Sequence, residues 1–121
     1  MALKKTLTIA GSDTSAGAGM QADLKTFQEL GTYGIVALTS IVTMDKKSWS
    51  HDVTPIPFDV FEKQLETSIS IGPDAVKTGM LGTQEIIKRA GDAYVESGAD
   101  YFVVDPVMVC KGENEVLNPG N

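Results

Sequence analysis

Strand-like and helix-like segments alternate along the whole chain, and that alternation leaves few architectures open. Leu7 to Ala10 reads as a short buried strand, followed by a small-residue loop from Gly11 to Gly19. From Met20 to Leu30 the apolar residues Met20, Leu24, Phe27 and Leu30 recur at helical spacing, and Gly31 supplies a C-terminal stop. Gly34 to Met44 is rich in β-branched residues and predicts a second strand, whereas Asp45 to Pro57 is polar, carries two prolines and reads as a loop or small flap. A helix is expected over Phe58 to Ile71, with Phe58, Phe61, Leu65 and Ile69 on one stripe and Gly72-Pro73 ending it. Ala75 to Thr78 is a third strand, and Thr83 is a good N-cap for a helix running to Ser97 and closed by Gly98. Tyr101 to Val104 reads as a fourth buried strand, after which residues 107 to 121 give few regular signals. Repeated βαβ units imply an α/β fold whose mainly parallel sheet is flanked by helices.

In such sheets ligands bind beyond the carboxyl ends of the strands. Here those ends carry Gly11-Ser12-Asp13, Met44-Asp45, Gly79-Met80 and Asp105-Pro106-Val107, so one edge of the sheet is the candidate site. At 121 residues the chain is long enough for one domain with a core and too short for two. A net charge of −6 argues against nucleic acid as a partner, because phosphate backbones call for a basic face. Apolar runs such as Tyr101 to Val104 are far too short to span a bilayer, and Met1 to Lys5 lacks the apolar stretch of an export signal. A cytoplasmic location is therefore the default expectation. With one cysteine, Cys110, and one histidine, His51, neither an internal disulfide nor a His/Cys zinc site can be assembled.

The glycine loop admits a dinucleotide reading beside that of a plain structural turn, although three glycines and an Asp exceed what a plain connection needs. Gly17-Ala18-Gly19-Met20-Gln21-Ala22 fits the dinucleotide pattern G-x-G-x-x-A, and Asp45 lies at a suitable distance for a ribose contact. A dinucleotide fingerprint starts where its strand ends, however, and six residues, Gly11 to Ala16, intervene here. No G-x-x-x-x-G-K-[ST] segment is present, so a P-loop is excluded.

The stretch AGSDTSAGAGMQADLKTF, Ala10 to Phe27, strongly resembles the opening of the hydroxymethylpyrimidine kinase and pyridoxal kinase branch of the ribokinase superfamily. The resemblance continues through GTYG at Gly31 to Gly34, KTGML at Lys77 to Leu81 and DPVM at Asp105 to Met108, and so covers essentially the whole chain. It implies a ribokinase-like three-layer fold and an ATP-dependent kinase that phosphorylates a hydroxymethyl group. It implies that Gly11, Ser12, Asp13, Ala18 and Gly19 line the substrate pocket and that Met80 and Val107 pack on the ring. Asp105 resembles the acidic residue near the ATP phosphates and Mg2+, where a carboxylate suits a hard cation that keeps several waters. A homodimer is expected on the same ground.

Two positions bear on the substrate. Where the pyrimidine kinases of this family usually carry glutamine, this chain has Met44, which cannot donate a hydrogen bond to an aminopyrimidine edge. The thioether suits a methylated pyridine better and tilts the expectation toward pyridoxal or pyridoxine, with hydroxymethylpyrimidine as the alternative substrate. Cys110 resembles the lid cysteine of a bacterial pyridoxal kinase branch; its thiol can add reversibly to an aldehyde, and Lys111 beside it favours the thiolate. His51 and Trp49 fall where the family often has a flap; a lone histidine in a polar loop is more often a surface residue, and neither is assigned a role. The family's N-x-x-E metal segment and its late G-x-G-C/D motif, which supplies the base, do not occur in these residues. Residues 1–121 are accordingly expected to be the N-terminal, substrate-binding part of one kinase domain, lacking the ATP-binding half and inactive alone as a binding fragment.

Overall fold

The computed structural model describes residues 3–106. Five strands and three helices follow one another as β1 (Lys5–Asp13), α1 (Gly19–Glu29), β2 (Tyr33–Met44), β3 (His51–Pro55), α2 (Phe58–Ile71), β4 (Ala75–Thr78), α3 (Gln84–Ser97) and β5 (Tyr101–Val104). They form one sheet of order β3-β2-β1-β4-β5, in which only the β2–β3 pairing is antiparallel.

Strand alternation sorts the side chains onto two faces. Leu7 and Ile9 of β1, Ile35 and Ala37 of β2 and Val76 of β4 meet Phe61 and Leu65 of α2 and Ile86, Ala90 and Ala93 of α3 in one buried cluster. The opposite face takes α1. There a side chain at Gly34 would place its Cβ 2.5 Å from Leu24 Cδ2 and 3.2 Å from Phe27 Cδ2, so the glycine lets the helix lie close on β2. The result is the expected three-layer arrangement. The chain steps from β1 outward to β2 on one side and later returns to β4 on the other. Right-handed crossovers in opposite directions put their helices on opposite faces and leave a crevice at the carboxyl end of β1.

Helix boundaries follow their local chemistry. Thr83 Oγ1 accepts from the Ile86 N–H at 3.1 Å, and Gly72 and Gly98 adopt the left-handed conformation that closes α2 and α3. Three sequence expectations need correction. First, β1 does not stop at Ala10: after a register shift between Ala10 and Ser12 it follows the long β2 as far as Asp13. Second, the segment from Asp45 to Pro57 contains a strand, since His51–Pro55 pairs with Ser40–Met44. It lacks apolar alternation because it is an edge strand, where Asp52 and Pro55 are tolerated. Third, β5 is not buried among the described residues. Tyr101, Val103 and Val104 are exposed, and only Phe102 is partly covered, stacked at 4.5 Å on Tyr94 of α3. An all-apolar strand is buried only when both of its faces are covered, and β5 is a sheet edge among the described residues.

Candidate active-site cleft

The carboxyl ends of β1, β2, β4 and β5 surround a cleft of about 550 Å³, within the range of small-molecule sites. Gly11, Ser12, Asp13, Ala18, Gly19, Met44, Met80 and Asp105 all line it, so eight of the sequence-selected residues converge. Val107 and Cys110 lie outside the described residues. Val42, Trp49, His51, Lys77 and Gly79 complete the walls together with Ala10, Ser15 and Gly17.

The floor is made by close backbone approach. A Cβ at Gly11 would meet Ser40 Oγ at 2.8 Å and Met80 Cε at 3.4 Å, and one at Gly79 would meet Ala10 Cβ at 3.0 Å. Gly79 donates its N–H to Ile9 O at 2.9 Å, and Thr39 Oγ1 donates to Met80 O at 2.7 Å. These bonds fix Met80 as one apolar wall of the cleft, with Val42 and Met44 on another.

The glycine loop is held from both ends. Gln21, in the first turn of α1, accepts the Asp13 N–H at 2.8 Å and donates to Ser12 Oγ at 2.7 Å. Asp13 Oδ1 in turn accepts from the N–H and hydroxyl of Ser15 at 2.9 and 2.7 Å. Partial burial pushes the Asp13 carboxyl up, but the bonds from Ser15, Ala18 and Gly17 outweigh it and hold the group below its ordinary value. Asp13 therefore lines the cleft while its carboxylate organises its own loop. Ala16 sits at φ 68°, a left-handed conformation unusual for alanine that these bonds sustain.

Below the loop, Lys77 Nζ lies 2.8 and 3.0 Å from the Asp23 carboxylate oxygens, and Thr8 Oγ1 donates to the same carboxylate at 2.6 Å. This chain ties α1 to β1 and β4 and brings a cation to the cleft wall. Lys77 was visible inside the KTGML segment, but a strand lysine gives no sign of which face it occupies until the neighbouring strands are known. Asp105 is exposed on the rim, with its N–H on Thr78 O at 3.2 Å. No group of three or more His, Cys, Asp or Glu able to hold a metal occurs among the described residues. A single rim carboxylate fits Mg2+ that retains most of its waters and does not fit a metal caged by protein ligands.

The β2–β3 hairpin forms a further wall, which the sequence offered as a loop or small flap and on which it singled out Met44 but gave Trp49 and His51 no role. Asp45 Oδ2 accepts from the N–H groups of Lys47 and Ser48 at 2.9 and 2.8 Å, and the Trp49 N–H closes the turn on Asp45 O at 2.8 Å. Trp49 adopts φ 59°. The turn brings His51 opposite Met44, and both side chains reach the cleft. His51 is thus half-buried and not the surface residue that its polar surroundings suggested.

A switch-point crevice with apolar walls, a tight glycine floor and a few fixed polar groups gives this α/β domain a cleft of the size and lining that suit a small, flat molecule. Comparison with known proteins agrees: residues 13–121 match the model of the phosphomethylpyrimidine kinase family. The chain belongs to that family, and its architecture is ribokinase-like. A putative pyridoxine kinase of Staphylococcus epidermidis is 88% identical over all 121 residues. The hydroxymethylpyrimidine/phosphomethylpyrimidine kinase of Bacillus subtilis is 42% identical over 97% of the chain. The Staphylococcus aureus pyridoxal kinase solved in complex with AMP-PCP and pyridoxal superposes with a TM-score of 0.91, is 78% identical, and is matched over 99% of this chain. The chain spans 44% of the S. epidermidis relative, 43% of the B. subtilis one and 42% of the S. aureus structure's chain. No helix among the described residues is long and apolar enough to cross a membrane.

Proposed function

We propose that this chain forms the alcohol-binding part of an ATP-dependent kinase that phosphorylates the hydroxymethyl group of pyridoxal or pyridoxine. The observation that carries the reading is the cleft itself, in which Met44 and Met80 offer thioether walls to a ring beside the backbone of Gly11 and Gly19. Met44 has no amide with which to pair an aminopyrimidine edge, so hydroxymethylpyrimidine is the second reading. The much higher identity to a putative pyridoxine kinase than to a pyrimidine kinase supports the same order.

Within this reading Ser12, Ala18 and Gly19 border the ring, and the roles that the resemblance gives Val107 and Cys110 fall outside the described residues. Asp105 would hold a Mg2+ that keeps most of its waters, and the cation would supply neutralisation of phosphate charge; transfer of this kind rests on positioning and charge stabilisation. ATP supplies the phosphoryl group, and the residues that bind it and remove the hydroxyl proton belong to a further half of the kinase domain. A cytoplasmic homodimer is the setting we infer. Incubating the protein with ATP, Mg2+ and either pyridoxal, pyridoxine or hydroxymethylpyrimidine tests the proposal. Phosphorylation of the pyridines at several-fold or higher kcat/KM is expected from a protein that includes that further half. Preference for the pyrimidine would overturn the first reading, and binding without turnover by residues 1–121 alone would support a substrate-binding fragment.

A further inference from the structure

We infer that Trp49 is a ring-recognition residue, whose indole stacks on the heteroaromatic ring of the substrate at the mouth of the cleft. The inference rests on the ring-binding part of the function proposed above and extends it to a residue outside the glycine loop and the strand-end motifs. Among the described residues Trp49 is the one exposed large apolar side chain that also lines the cleft, with 58% of its surface open to solvent. Leu30, Tyr33, Tyr101 and the other exposed apolar residues do not line it. An indole left in water on the rim of a small-molecule cleft contributes little to the core and presents a broad flat face to whatever enters.

The backbone supplies a second, independent sign. Among the described residues only Ala16 and Trp49 are non-glycine residues at positive φ, and Trp49 stands at 59°. Left-handed backbone strains a bulky side chain where glycine or asparagine would sit freely. Such strain persists only where the surroundings enforce it, and it gathers at ligand clamps. Here the Trp49 N–H donates to Asp45 O at 2.8 Å and the Asp45 N–H donates to Ser50 O at 3.0 Å. The Asp45 carboxylate accepts from the N–H groups of Lys47 and Ser48, so the turn fixes where the indole leaves the hairpin. A residue ill suited to its turn and uncovered by the core thus occupies a position on the cleft, and its benefit lies there. The other apolar walls are Val42 and the polarisable thioethers of Met44 and Met80. Thioethers and an indole together suit a flat, electron-poor heteroaromatic ring. Stacking on an aromatic side chain tolerates changes of ring, so Trp49 recognises flatness and leaves the choice among rings to positions such as Met44.

Calorimetric titration of the full-length protein and of its W49F and W49N variants, with pyridoxine and separately with hydroxymethylpyrimidine, tests this. Melting temperatures are recorded without ligand. Asparagine tolerates the left-handed conformation and removes the indole. W49N is therefore expected to melt at or above the wild-type temperature, yet to bind the preferred ring about tenfold more weakly. W49F keeps a flat face and should lose no more than about threefold. Trp49 is the only tryptophan in the 121 residues. Acrylamide quenching of its fluorescence, taken as the difference between wild type and W49F, should fall when the ring covers the indole. A W49N variant that binds as tightly as the wild type would overturn the inference. So would one that loses affinity and melting temperature together, the mark of an indole that serves the fold. A wild type that binds hydroxymethylpyrimidine and not pyridoxine would remove the pyridine reading, while a tenfold loss for the pyrimidine in W49N would still uphold Trp49. Binding of neither ring would overturn both.

Discussion

Substituting alanine for Gly19 isolates the backbone contact that shapes the cleft. Gly19 opens α1 at φ +63°, and its Cβ would stand 2.6 Å from Gly11 O and 3.2 Å from the Asp13 N. Left-handed geometry costs an alanine about 1–2 kcal/mol. The clash adds roughly 1–3 kcal/mol, because the atoms it meets are backbone and cannot rotate away. Gly31 provides the control: it is equally left-handed, at φ +79°, but nothing lies within 4 Å of its Cβ position. Alanine at either site also restricts the unfolded chain, which returns about 0.4–1 kcal/mol in both cases and cancels in the comparison. G19A should therefore be about 1–3 kcal/mol less stable than G31A, which lowers its urea midpoint by about 1 M at an ordinary slope. It should also weaken substrate binding, since Gly11 and Gly19 both line the cleft, whereas G31A should not. Urea unfolding followed by circular dichroism, with ligand titration on the same samples, measures both effects. Equal midpoints for the two variants would refute the argument that the Gly11–Gly19 approach is rigid.

Three further outcomes are expected. Replacing Met44 with Gln should raise kcat/KM for hydroxymethylpyrimidine relative to pyridoxine by about tenfold, the worth of one directed hydrogen bond, in a competition assay with both substrates. Replacing Lys77 with Met leaves the Asp23 carboxylate partly buried without its cation; a loss of about 1–3 kcal/mol in urea unfolding is expected, and adding D23N should recover part of it. The bonds from Ser48 and Lys47 hold the Asp45 carboxyl below 3.8 in the folded protein, so the stability it contributes is present above pH 3.8 and lost as pH falls through the lowered value. Urea midpoints of wild type and D45N should accordingly differ by a constant amount near neutrality and converge in acid, and a difference that persists at the lowest pH would contradict the assignment.

Much of the fold was legible because punctuation and periodicity agreed. Phe58–Ile71 and Ala75–Thr78 match the expected bounds, since an apolar stripe ends at Gly72-Pro73 and a short β-rich run follows directly. The strand-end rule then located the cleft, because any parallel sheet with this crossover pattern opens at the carboxyl end of β1. Two features resisted reading for one reason, that burial belongs to layers and not to segments. Tyr101–Val104 has the composition of a central strand yet lies exposed at the edge of the described sheet, and His51–Pro55 has the composition of a loop yet pairs along β2. A resemblance carried by Gly11–Gly19 and Lys77–Leu81 identified the floor, while on the hairpin it marked Met44 and a flap without assigning Trp49 or His51 a role.

That division has a physical origin. The floor is assembled from the core strands, so Gly11, Gly79 and Met80 cannot change without disturbing contacts that also hold the sheet together. The hairpin is assembled locally, by the Asp45 carboxylate and a left-handed Trp49, and none of residues 43–55 belongs to the buried apolar core. Substitutions on its cleft-facing side therefore act on the ligand with little effect on the fold. Met44 and His51 face each other across one register pair of that hairpin, so a change of side chain at either position is expected to alter the cleft wall and leave the floor of Gly11, Gly79 and Met80 undisturbed.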